Sequence, residues 1–95
     1  MTFILEVIDS TGRTIHLTEE RYKHILRHPD MQNKLIDLQD TLLHPLRITN
    51  HDDAIRYYYR FYKERMSRAK YLRVIVKYLN GTGYIITSYF AESLS

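Results

Sequence analysis

Residues 3–8 are apolar except for Glu6, a run short enough for one strand, and Ser10-Thr11-Gly12 supplies the turn that folds residues 13–17 back on it as a hairpin. The period then lengthens. Thr18 reads as a helix N-cap followed by Glu19 and Glu20 in the first turn, and Tyr22, Ile25 and Leu26 share one helical face. Pro29 disfavours helical geometry in the residue before it, so this helix is expected to stop near His28. Asp30 is then in place to cap a second helix, in which Met31, Leu35, Leu38 and Leu42 recur at i, i+4, i+7 and i+11 until His44-Pro45 ends it.

From Leu46 onward the pattern returns to strands rich in Tyr, Ile and Val, at residues 46–50, 54–62, 71–79 and 84–90. Asn50-His51-Asp52-Asp53 and Asn80-Gly81-Thr82-Gly83 form turns between them. The order predicts an α+β domain over residues 1–95, with an N-terminal hairpin and two helices packed on a four-stranded antiparallel sheet.

Composition narrows the classes. With 44% hydrophobic and 26% charged residues the 95-residue chain belongs with folded domains, and with no cysteine it excludes disulfides and thiolate metal sites. Its apolar runs are far shorter than the roughly 20 residues that cross a bilayer, and its start lacks a secretory pattern. No membrane association and a cytoplasmic location are therefore expected. A net charge of +3 welcomes a polyanionic partner without identifying one.

Candidate chemistry concentrates in the strands. Alternation in residues 56–62 sets Tyr57, Tyr59 and Phe61 on one face, apolar enough for the core, and Arg56, Tyr58, Arg60 and Tyr62 on the other. Arginine pairs phosphate and aromatic rings stack on bases, so the second face suits RNA, although Tyr and Arg also make ordinary cross-strand pairs. Leu72, Val74 and Val76 point one way and Arg73 and Lys77 the other; Thr87 and Tyr89 alternate in the last strand. Alignment of Arg60, Lys77 and Thr87 or Tyr89 across neighbours would make a cationic patch. Residues 63–70, with Lys63, Arg65, Arg68 and Lys70, read as a mobile basic loop that also contacts substrate. His24 and His28 are i, i+4 neighbours suited to acid-base work. A metal site would need His44, His51 or Asp52 as a further ligand, and no HExxH pattern is present, so no metal or other cofactor is expected.

Residues 18–31 resemble the HI..HPE helix signature of the phage-associated branch of the barnase-EndoU-colicin-RelE nuclease superfamily. Residues 55–60 are similar to its Tyr-Tyr-x-Arg strand, and residues 71–77 and 84–89 to its L.VVVK and (V/I)IT.Y strands. The resemblance implies a metal-independent ribonuclease, as many members are, toxins of toxin-antitoxin systems among them, with its active face on the concave side of the sheet near the first helix. Carried over by position, it implies His24, His28, Tyr58, Arg60, Lys77, Thr87 and Tyr89 as site residues. Ser88 stands where that branch often has Ala.

RNA carries its own nucleophile, the 2′-hydroxyl, so in-line placement, proton transfer and positive charge suffice for cleavage. The expected roles are His24 as base, His28 as acid, Arg60 and Lys77 as phosphate stabilisers, and Tyr58, Thr87 and Tyr89 as positioning groups. Arg56, Arg65, Arg68 and Arg73 are expected to contact substrate. Two other readings stand beside this one: a non-catalytic RNA- or ribosome-binding module on the same fold, and a homodimer formed through exposed tyrosines.

Overall fold

A computed structural model describes residues 2–94. The hairpin forms as expected, with β1 (Phe3–Ile8) antiparallel to β2 (Thr14–Thr18) and Gly12 at φ 85 in the turn between them. Thr18 caps α1 (Glu19–Ile25), its hydroxyl accepting from the Arg21 amide at 3.2 Å. The helix ends earlier than expected because His28, the residue before Pro29, is extended at ψ 114.

A second departure follows at once. Asp30 lies within a single 3₁₀ turn, Pro29–Met31, and α2 starts only at Leu35, after Asn33 in the left-handed region at φ 60. Met31 is nevertheless buried with Leu38 and Leu42, so the apolar spacing marked one packing face across two separate elements.

Four strands follow: β3 (Arg47–Asn50), β4 (Ile55–Phe61), β5 (Tyr71–Leu79) and β6 (Thr82–Ala91). They pair antiparallel in sequence, but the sheet does not stop at four. β2 runs parallel to β6, giving one six-stranded mixed sheet in the order β1-β2-β6-β5-β4-β3. Gly83 permits this junction, since a Cβ there would lie 3.0 Å from Ile15 Cγ1 and 2.9 Å from Val76 Cγ1. The expected four-stranded antiparallel sheet is thus corrected to a six-stranded mixed one, while the α+β class stands.

The core lies between one sheet face and the helices. Ile15, Leu17, Leu72, Val74, Val76 and Ile85 meet Ile25, Leu38 and Leu42 there. Register also places Tyr58 on this face, directly opposite Val74, which reverses the expected orientation of β4. Tyr58 is fully buried, and Tyr57, Tyr59 and Phe61 face the other way. Its hydroxyl donates to Asp9 and lies 2.5 Å from that of Tyr78. Asp9 also accepts from the amides of Thr11 and Arg13, both at 2.9 Å, and so ties the hairpin turn to the sheet. Among the described residues no helix is long and apolar enough to cross a membrane.

Candidate functional site

Because helices cover only one side, the opposite sheet face is a platform of side chains in cross-strand rows. The first row is Tyr59, Arg73 and Tyr89, contributed by β4, β5 and β6. Arg73 Nε donates to the Tyr59 hydroxyl at 3.0 Å and Nη1 donates to the Tyr89 hydroxyl at 2.9 Å. The guanidinium carbon also lies 5.2 to 5.6 Å from the ring centroids of Tyr57, Tyr59 and Tyr89. Burial alone would lower the pKa of this group; the Tyr89 and Tyr59 hydroxyls outweigh it and leave the pKa above its ordinary value. The result is a permanent cation held in a fixed plane. Nη2 reaches the Ser93 carbonyl at 3.4 Å, where the chain beyond β6 passes close by.

The second row is Tyr57, Ile75 and Thr87. The third is longer: Ile55, Lys77, Tyr84, His16 and Glu6, one from each of five strands. His16 Nε2 lies 2.5 Å from Glu6 Oε2 and its ring stacks on Phe3 at 4.1 Å, while Nδ1 is buried without a hydrogen-bond partner among the described residues. Arg21 and Glu20 of α1 line a hollow together with Lys77 and Tyr84.

This geometry sorts the expected site residues. Arg73, Lys77, Thr87 and Tyr89 share the open face, and His28 joins them, its ring 5.9 Å from that of Tyr89. His28 is not on α1, so the expected helical pairing with His24 is absent; His24 lies instead beside a hollow lined by Glu20, Arg21, Lys23 and Arg27. Arg60 does not align with Lys77. It pairs with Leu72 on the covered face, and its Nη1 donates to the His44 carbonyl at 2.6 Å. Arg56 shares that side, donating from Nη1 to Thr11 Oγ1 at 3.3 Å, and Tyr58 is sealed in the core between them. Both arginines sit toward strand ends, so their stems can run along the core while the charged heads reach its rim.

The basic loop is also tied down rather than free. Arg65 Nη2 lies 3.3 Å from Asp30 Oδ2, and its guanidinium carbon is 3.5 Å from the Phe90 ring centroid, which is on the covered face. Arg68 remains exposed. Among the described residues no group of three His, Asp or Glu side chains is arranged to hold a metal ion. Sequence reading missed Phe3, Glu6, His16 and Tyr59. Only His16 carried a local signal, as the one ring between the core residues Ile15 and Leu17, and its significance depends on the parallel β2–β6 pairing. The chain matches none of the protein-family models, characterised proteins or solved structures with which it was compared.

Proposed function

We propose that the chain is a metal-independent RNA endonuclease, acting in the cytoplasm as a toxin held in check by a protein antitoxin, and that it grips its substrate on the open sheet face around Arg73. The observation that carries this reading is the Arg73 guanidinium fixed by two tyrosine hydroxyls, with the His28 ring 5.9 Å from the ring of one of those tyrosines, Tyr89. Negative charge grows on the phosphate oxygens as the 2′-hydroxyl attacks phosphorus, so a cation fixed beforehand favours the transition state over the ground state. The P–O5′ bond breaks, leaving a 2′,3′-cyclic phosphate and a 5′-hydroxyl.

Arg73 takes the phosphate-stabilising role first expected of Arg60. His28 accepts the proton of the attacking 2′-hydroxyl, and solvent protonates the departing O5′ as the P–O5′ bond breaks. The Tyr89 hydroxyl accepts from Arg73, so its own hydrogen is left to donate to a phosphate oxygen. Lys77 and Thr87 supply a second cation and a hydroxyl on the same face. The likeness of the helix and strand motifs to the barnase-EndoU-colicin-RelE superfamily supports the same placement, because that superfamily works on the sheet side near its first helix.

Incubation of purified protein with tRNA or mRNA in excess EDTA tests the proposal. Cleavage to cyclic-phosphate ends is expected, slowed about a hundredfold or more in His28→Ala and in Arg73→Ala but retained in Arg60→Ala. Salt-sensitive binding without cleavage would select a non-catalytic RNA-binding module instead. Failure to bind RNA at all would overturn both.

A further inference from the structure

The open face carries two stacked ring pairs at opposite ends, and neither takes part in the chemistry assigned to Arg73. At the β1 side, Phe3 lies on His16 with ring centroids 4.1 Å apart and planes 7° apart. At the β4 side, His51 lies on Tyr57 at 3.5 Å and 27°. In each pair a hydrogen bond fixes the histidine: Glu6 holds the Nε2 of His16 at 2.5 Å, and Thr49 Oγ1 holds the Nε2 of His51 at 2.9 Å. The upper rings are left accessible, with Phe3 41% exposed and His51 exposed as well. Lys77 lies between the two pairs, and Arg73 flanks the second, one cross-strand row beyond Tyr57.

Resting on the RNA reading above, we infer that the substrate is single-stranded RNA laid across the strands rather than along them, with one base stacked on Phe3 and another on His51. The backbone between them passes over the Lys77 ammonium, and the Arg73 guanidinium flanks the His51 end of the path. Three strand spacings and a two-residue offset separate the platforms, about 15 Å at the usual spacing and rise. A stacked strand advances about 3.4 Å per nucleotide, so this gap corresponds to about four steps, or fewer if the strand is drawn out. The footprint is therefore about three to five nucleotides.

The geometry excludes a duplex as the preferred ligand. Bases in a helix already stack on one another and cannot lie flat on a ring that projects from a sheet, whereas an unpaired base offers a free π-face of any sequence. His51, held by a hydrogen bond and by Tyr57, and Phe3, stacked on a hydrogen-bonded His16, lose little freedom when a base arrives, which favours their use as platforms. Charge agrees with this path, since Lys77 lies under it and Arg73 beside its far end.

Binding of 2′-O-methyl oligonucleotides, which lack the internal nucleophile, separates this inference from the catalytic one. In fluorescence anisotropy, affinity is expected to rise with length and level off near about five nucleotides, and a duplex of the same chemistry should bind at least about tenfold more weakly. Phe3→Ala and His51→Ala should each lower affinity between about fivefold and about a hundredfold, as expected for loss of one stacked base. Phe3→Tyr, which keeps a ring, should restore binding, and thermal denaturation of each variant checks that the fold persists. Equal affinity for duplex and single strand, or wild-type affinity in both alanine variants while Arg73→Ala abolishes binding, would overturn the cross-strand path and leave the Arg73 site standing. Absence of binding to any oligonucleotide would overturn both.

Discussion

Tyr58 and Tyr59 are neighbours in one strand, both fully buried, and they serve opposite sides of the sheet. Tyr58 points under the helices, where its hydroxyl donates to Asp9 and meets Tyr78. Burial, reinforced by those two partners, pushes its pKa far above the ordinary tyrosine range, so it stays neutral. Tyr59 points to the open face and spends its hydroxyl on holding a cation, Arg73, that contacts solvent-side groups. A phenol beneath the helices closes a structural network, and a phenol one residue further on aims a charge. Identity of side chain says nothing about which; the strand register assigns the task.

The largest expected effect removes the anchor of the covered network. Asp9→Ala leaves the Thr11 and Arg13 amides and the Tyr58 hydroxyl without their acceptor, and should cost about 3 kcal/mol. In a domain of this size that lowers Tm by more than about 10 °C. RNA affinity of the variant at low temperature should stay near wild type; a parallel fall would mean that the two faces are not separable. Arg73→Ala is the converse, with RNA affinity down roughly tenfold to a hundredfold and a salt slope smaller by about one, at a smaller cost in Tm than Asp9→Ala. A loss of stability comparable to that of Asp9→Ala would break the comparison from the other side.

The two tyrosines give a narrower contrast. Tyr58→Phe should cost about 1–2 kcal/mol and leave RNA binding intact, while Tyr59→Phe should cost about 1 kcal/mol or less and weaken binding several-fold by loosening Arg73. Denaturant midpoints and anisotropy titrations on the same samples read both quantities. Smaller again is a pH effect. Burial works to raise the Asp9 pKa, and hydrogen bonds from Tyr58, Arg13 and Thr11 outweigh it, leaving the carboxyl below its ordinary 3.8. Such a group stabilises the fold above its unfolded pKa and loses that contribution as pH falls below about 4 and through the lowered folded value. Asp9→Asn should flatten that part of the acid unfolding profile, and an unchanged profile would remove Asp9 from the account. Thr18→Ala, which touches neither network, should cost only about 0.5–1 kcal/mol through its lost cap.

Much of the chain was legible locally. The hairpin turn at Gly12, the Thr18 cap, the apolar face of Leu35, Leu38 and Leu42, and the alternation of Leu72, Val74 and Val76 all depend on residues a few positions apart, where φ preference and helical or pleated periodicity act. Arg73 with Lys77, and Thr87 with Tyr89, were each placed on one side of their own strand for the same reason, whereas only the register shows that the two pairs share a face. The end of α1 shows the limit of such signals, since Pro29 announced a stop and its displacement of His28 from the helix separated that ring from His24.

What the residues alone determined was therefore an α+β fold with alternating strands, and two opposed sets of side chains on each. Which set met the helices was a tertiary decision, because β4 alternates Arg56, Tyr58 and Arg60 with Tyr57, Tyr59 and Phe61, and either set offers aromatic surface to a core. Pairing Tyr58 with Val74 settled it, and moved Arg56 and Arg60 away from the face that carries Arg73. The parallel contact of β2 with β6 likewise brought Glu6 and His16 into line with Tyr84 and Lys77. Register and strand order are long-range choices set by the total burial of both faces, and a period of two carries no information about them.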